Sequence, residues 1–183
     1  LYSQTNVLVT PNVTNVQNVD AIRTKGLELS YQAANVFVRG LELGSSLTWT
    51  DSRIMRNDKF PASVGKWQPR IPEWRATAVA TYRPDDQWSY TLGARYSGKQ
   101  YNNADNSDQW PDTFGGNSSF STFDAKVSYR FAKGMTAALG VDNLTNEKYR
   151  TGGYNFGAPT YNNSVIGFYG PPRQYTLTAR YDF

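Results

Sequence analysis

The chain has 183 residues, 39% of them apolar, 19% charged and 15% aromatic, with a formal net charge of +4 and neither Cys nor His. This excludes disulfides, Cys-based metal sites, most zinc sites, the usual serine-hydrolase triad and the commonest general base, so neither an enzyme nor a cofactor or metal centre is expected. Scattered basic residues form no stripe, so no nucleic acid is expected as a partner.

No window holds the roughly 18 consecutive apolar residues of a spanning helix, and the mean hydropathy is -0.62. Barrel strands also average out as polar, because lipid-facing and lumen-facing residues alternate.

In chain order, a first strand is expected near Tyr2 to Thr10, followed by weak alternation through Leu27, Leu29 and Tyr31 and through Leu41, Leu43, Leu47 and Trp49. Arg23 and Lys25 fall on the face of Leu27, which calls for a bulge or for a position above the hydrocarbon. Next, Trp74, Ala76, Ala78, Ala80 and Tyr82 oppose Arg75, Thr77, Thr81 and Arg83, with Val79 as the exception. Trp88, Tyr90, Leu92, Ala94 and Tyr96 oppose polar or small residues, and so do Phe123, Ala125, Val127, Tyr129 and Phe131. Met135, Ala137, Leu139 and Val141 repeat the pattern more weakly. The last run sets Tyr175, Leu177, Ala179, Tyr181 and Phe183 against Thr176, Thr178, Arg180 and Asp182.

These segments make about eight strands, each opposed in direction to the next. Short turns near Asn35, at Pro84-Asp85-Asp86-Gln87 and at Ala132-Lys133-Gly134 alternate with long polar stretches near Asp51–Pro72, Asn102–Ser119 and Thr151–Pro171. Short turns at one end and long loops at the other are expected of an outer-membrane barrel. A register slip in the run ending at Phe131 would aim Lys126 and Arg130 at lipid, at about 2–4 kcal/mol for a basic residue at the midplane. The fold expected is all-β, an antiparallel transmembrane β-barrel. Trp74, Tyr82, Trp88, Tyr96, Tyr129 and Tyr181 are expected at the membrane interfaces. A soluble β-sandwich would alternate too, but around a core rich in Val and Ile.

Four segments carry a family resemblance. Arg23-Thr24-Lys25-Gly26-Leu27-Glu28-Leu29 resembles a recurrent basic-x-x-Gly-apolar-Glu strand of the TonB-dependent receptors. Gly140-Val141-Asp142-Asn143-Leu144-Thr145-Asn146-Glu147-Lys148-Tyr149 resembles the segment before that family's last long loop. Pro172-Arg173-Gln174-Tyr175 and Arg180-Tyr181-Asp182-Phe183 resemble its final strand. The resemblance implies that residues 1–183 form the C-terminal segment, about the last eight strands, of a roughly 22-stranded plugged barrel in the outer membrane of a Gram-negative bacterium. The plug and its TonB box are expected outside this chain, and Leu1 is expected to follow a cleavage or lie within a longer protein.

The resemblance further implies TonB-dependent uptake of a metal chelate, a ferric siderophore first, with cobalamin, haem and copper complexes also fitting. Implied partners are the protein's own N-terminal barrel and plug, the TonB complex, the barrel assembly machinery and lipopolysaccharide. The alternative is a complete eight-stranded barrel with a structural or adhesive role, since about eight strands can close on themselves.

Candidate ligand-binding residues in the long loops are Tyr101, Trp110, Phe114, Arg150, Tyr154, Phe156, Tyr161 and Tyr169. Aromatic rings with polar neighbours suit a planar polar chelate, although such loops also pack on themselves. Arg53, Arg56, Lys66, Arg70, Arg150 and Arg173 lie near loop bases, where anion attraction, lipopolysaccharide bridging and salt bridges compete as readings. Tyr175, Leu177 and Phe183 are the expected assembly signal. Asn103, Asp105, Ser107 and Asp108 have a faint calcium-loop look, without the Gly and Glu of an EF-hand. The expected lumenal charges Glu28, Glu42, Arg75, Arg95, Asp124, Lys126, Arg130 and Arg180 read as structural pairs.

Overall fold

In a computed structural model, the described backbone covers residues 4–10, 13–108, 117–132, 134–156 and 164–182, with side chains over 18–108, 117–131, 134–153 and 167–182. Its strands are β1 (Gln4–Thr10), β2 (Val13–Asn18), β3 (Ala21–Ala34), β4 (Leu41–Arg56), β5 (Trp74–Tyr82) and β6 (Trp88–Ser97). They continue as β7 (Phe120–Ala132), β8 (Met135–Asp142), β9 (Arg150–Phe156), β10 (Ser164–Tyr169) and β11 (Gln174–Tyr181). Seven make one antiparallel wall in the order β11-β8-β7-β6-β5-β4-β3.

Period two explains the wall. One row of register partners crosses all its strands as Ala33, Leu43, Ala80, Leu92, Ala125, Val141 and Tyr175, and every member is apolar. The next row toward the short turns holds Ala34, Glu42, Thr81, Thr91, Lys126, Gly140 and Thr176 on the opposite face. Val79 breaks the alternation by joining the polar face, where its partners Gly44 and Gly93 leave it room.

Among the described residues nothing covers the apolar face: Leu92 is 62% exposed and Leu177 81%. Buried apolar residues among those described are only Ile54, Pro72, Ala138 and Tyr149. A sandwich needs a second layer on that face, so the sandwich reading fails. Stabilisation at about 25 cal/mol per Å² of apolar surface is available only where a non-aqueous phase covers the rows.

Among the described residues the wall has seven strands. The strand expected at Tyr2–Thr10 forms as β1, but it pairs with β2 in a separate hairpin, and β2 leads into β3 through Val19 and Asp20. The outer edges of β3 and β11 have no partner strand among the described residues.

Three short turns close one end. Asn35 (φ 58) accepts the Gly40 amide at 2.9 Å, and Gly40 (φ 87) offers its carbonyl to Arg83 N–H at 2.9 Å. A Cβ at Gly40 would run into the Arg83 carbonyl. Asp85 Oδ1 accepts the amides of Gln87 and Trp88, each at 2.8 Å, so this acid is spent on its turn.

At the opposite end β3 and β4, with 14 and 16 residues, outlast the roughly 9–11 that a tilted spanning strand needs. This places the awkward basic pair. Register shifts only between Ala21 and Ile22, so no bulge separates Arg23 and Lys25 from Leu27. Arg23 faces Arg53 and Lys25 faces Asp51, beyond the row where Leu27 meets Trp49.

Candidate functional site

The three long connections gather at the end where β3 and β4 overshoot. Residues 65–68 fold back onto β4: Gly65 N–H donates to Ile54 O at 2.8 Å, Ile54 N–H to Lys66 O at 3.0 Å, and Gln68 N–H to Ser52 O at 2.9 Å. Beneath them Thr24, Ser52 and Gln68 form a hydrogen-bonded chain, at 2.7 and 2.6 Å, with Ser52 fully buried. The fold-back sets Trp67 beside Arg53, whose guanidinium lies 4.7 Å from the ring centroid.

The next loop is clasped to this one. Asn106 Oδ1 accepts Trp67 N–H at 2.7 Å, its Nδ2 donates to Trp67 O at 3.0 Å, and Arg70 N–H donates to Tyr101 O at 2.8 Å. Asp108 is 1% exposed and accepts the amides of Asn102 and Asn103. Its carboxylate is therefore spent on the backbone, and no metal cluster occurs among the described residues.

Burial lifts the Asp108 pKa above its ordinary 3.8, outweighing the backbone amides of Asn102, Asn103 and Asp108 itself, which favour the charged form. The folded loop then holds a proton more readily than the unfolded loop. The stability this group contributes is fullest below 3.8 and is lost as pH rises through the lifted pKa. Protection of the Asn102 and Asn103 amides, corrected for intrinsic exchange, is expected to rise on acidification across that window. Asp108→Asn should flatten the trend, and an unchanged profile in the variant would remove Asp108 as its source.

The third connection carries β9 and β10. Arg150 and Tyr169 are partners at its base, with Nε 3.5 Å from the tyrosine hydroxyl and the guanidinium 5.6 Å from the ring. Arg150 Nη1 is buried and has no hydrogen-bond partner among the described residues. Phe120 stacks on Tyr149 at 4.1 Å.

The corner before this connection explains the Asn-Leu-Thr-Asn segment. Asn143 and Asn146 hold φ of 50 and 53. Asn143 is 4% exposed; its Nδ2 donates to Glu147 O at 2.9 Å and Pro171 O at 3.0 Å, and its Oδ1 accepts Glu147 N–H at 2.9 Å. Its own amide donates to Asp124, and Asn146 accepts Arg173 N–H. The segment is thus a knot joining β7, β8 and the approach to β11.

Of the expected ligand residues, Arg150 and Tyr169 come together, whereas Tyr101 belongs to the neighbouring clasp, where Lys99 Nζ lies 4.7 Å from its ring centroid. Tyr154 and Phe156 lie in β9 with their side chains outside the described residues, and Trp110, Phe114 and Tyr161 lie outside them entirely. Sequence reasoning missed Trp67, Asn106 and Asp108 as a joint. Trp67 and Trp110 are the tryptophans outside the alternating rows, which was the available signal.

The interface candidates all lie on the apolar face. Trp74 pairs with Trp49 and Tyr96 with Ala76 toward the loops; Tyr82 pairs with Tyr90, Trp88 with Tyr129 and Tyr181 with Met135 toward the turns. Trp88 lies 4.5 Å from Tyr129 and 5.7 Å from Tyr90, ring centre to ring centre. Tyr175 and Leu177 occupy the same face of β11, and Phe183 lies outside the described residues. Among the polar-face charges, Glu42 pairs with Arg83 at 2.7 Å, Arg180 with Asp182 at 2.7 Å, and Arg95 reaches Thr122 at 3.3 Å. Glu28, Arg75, Lys126 and Arg130 form no salt bridge among the described residues.

Residues 2–144 match the family model for the TonB dependent receptor-like β-barrel. The chain belongs to that family. Its likeness extends to a probable TonB-dependent siderophore receptor, PiuA of Acinetobacter baumannii, at 26% identity over 81% of this chain and 20% of the relative. The solved PiuA structure superposes with a TM-score of 0.74 at 22% identity, over 97% of this chain and 24% of that one. The ferric yersiniabactin uptake receptor FyuA of Yersinia pestis gives 0.76 at 22% identity, over 92% and 25%. The chain therefore spans a fifth to a quarter of these relatives.

Membership in the TonB-dependent receptor β-barrel family makes this an outer-membrane protein of a Gram-negative bacterium, from a family of receptors rather than enzymes. Its apolar face meets lipid, its polar face lines the lumen, and its long connections are the external loops.

Proposed function

We propose that residues 1–183 are the C-terminal segment of a TonB-dependent receptor whose complete chain takes up a ferric siderophore, with the plug, its TonB box and the earlier strands elsewhere in that chain. The open seven-stranded wall carries this reading, because β3 and β11 call for further strands to close a barrel. The same edges, unpaired among the described residues, favour this reading over a self-closed eight-stranded barrel. Arg150, with a buried nitrogen lacking a described partner and Tyr169 beside it, fits an oxygen of an anionic chelate. Tyr101, Trp110, Phe114, Tyr154, Phe156 and Tyr161 are the further candidates.

The aromatics at both ends of the apolar rows act as interface girdles in this reading, and Tyr175, Leu177 and Phe183 guide insertion by the assembly machinery. The ligand is bound and moved, and no covalent bond of it changes.

An intact mass several-fold above 20.6 kDa is expected for the native polypeptide. Radio-iron uptake from a panel of ferric chelates should then depend on both this protein and TonB for at least one siderophore. Uptake of a different metal complex would move the substrate class, and a self-closing barrel of about 20.6 kDa would end the reading.

A further inference from the structure

At the base of the third long connection, an aromatic stack and two glycines determine where Arg150 stands. Phe120 stacks on Tyr149 at 4.1 Å, and the buried Tyr149 ring fills the space that a Cβ on Gly170 would take. Gly170 N–H also donates to Tyr149 O at 2.9 Å. β9 and β10 therefore leave one pinned point, with Arg150 opposite Tyr169. Gly167, in β10, has no positive φ that would call for glycine. Its distinction is space: a Cβ there would lie 3.1 Å from Arg150 Nε, 3.4 Å from Cδ and 3.5 Å from Cζ. The Arg150 head thus lies against bare backbone, with Nε 3.5 Å from the Tyr169 hydroxyl. Its Nη1 is buried with no hydrogen-bond partner, and no salt bridge among the described residues includes Arg150.

We propose that Gly167 is a specificity-determining residue: the slot it leaves seats Arg150 so that the Nη edge of the guanidinium takes an ionised carboxylate of the chelate. The inference rests on the siderophore-receptor reading and narrows it to one substrate class. A guanidinium keeps its charge, and its parallel N–H donors match the two oxygens of a carboxylate. A buried donor on a charged group costs free energy until an acceptor meets it. The Tyr169 ring, 5.6 Å from the guanidinium, flanks the fork, and Gly167 gives it room. Charge then separates the chelates. In a neutral ferric trihydroxamate the oxygen charge is balanced by the iron, so the guanidinium meets only weak acceptors. A carboxylate accepts charge-assisted hydrogen bonds, roughly twice as strong as neutral ones.

The test measures binding to the purified complete receptor by quenching of its tryptophan fluorescence. Ferric dicitrate is the carboxylate probe and a neutral ferric trihydroxamate the control. The parent should prefer ferric dicitrate. Arg150→Gln and Gly167→Val should each weaken that binding about tenfold, and should move the neutral chelate by less than about twofold. In the Arg150→Gln background Gly167→Val should add nothing, because the glycine acts through the guanidinium. Heat-modifiable gel mobility confirms that each barrel is folded, and Gly167→Ala makes the same comparison with a smaller intrusion. Parental affinity for ferric dicitrate in Arg150→Gln overturns the proposal, and so does an equal loss of both probes in Gly167→Val. A parent that binds neither probe, or the neutral one at least as well, overturns it too. Uptake is read separately. Uptake confined to chelates without a carboxylate ends this inference and leaves the receptor reading standing. No uptake of any ferric chelate, with ferric dicitrate still bound through Arg150, ends the transport reading instead.

Discussion

Leu92→Arg is expected to lower the stability of the complete receptor by about 2–4 kcal/mol, whereas Gln32→Arg, with the same added charge, should change it little. Leu92 stands mid-row on the lipid face, between Ala80 and Ala125, and is 62% exposed. A guanidinium there must enter hydrocarbon or distort the bilayer to reach water. Gln32 lies on the lumenal face, opposite Gly44, where an added charge stays hydrated. Urea titration of the reconstituted barrel, followed by heat-modifiable mobility, measures both. Equal losses in the two variants would mean that the face assignment is wrong.

The second large effect belongs to the corner at Asn143. Asn143→Ala should cost about 2–4 kcal/mol, because it strands the Glu147 and Pro171 carbonyls and the Glu147 amide in a site with little access to water. Alanine is also poorly suited to a φ of 50. Asn143→Gly removes that backbone cost but none of the hydrogen-bond loss, so it should recover only about 1 kcal/mol of the deficit. The readout is the urea midpoint together with cleavage after Lys148, an exposed basic residue of this corner. Two variants of parental stability would mean that the last strand is held by its ladder with β8 alone.

Much of this was legible in the sequence, for a reason visible in particular residues. The alternation from Trp88 to Tyr96 separates lipid-facing from lumen-facing positions residue by residue, and a one-residue slip would exchange them. Local patterning therefore determined the wall strands, their faces, the short turns and the end that carries the loops. The family resemblance, not the alternation, marked Asn143 to Asn146 as distinctive, though not why: the partners of Asn143 include Pro171, brought back only when β11 lies beside β8.

The tertiary structure decided what depends on cross-strand register and on contacts between loops. Whether Arg23 and Lys25 belong to a bulge or stand above the hydrocarbon could not be read from β3, because the answer lies in their partners Arg53 and Asp51 on β4. The first strand was legible as a strand, but its pairing with β2 instead of the wall was not, since alternation names faces and leaves partners unspecified. Asn106 and Trp67 meet across 39 positions of sequence through hydrogen bonds between the Asn106 side chain and the Trp67 backbone, which leave no periodic trace. The sequence by itself determined which way each wall residue points. Only the folded chain determined which residues those side chains meet, because facing follows from backbone pleat and meeting follows from pairing.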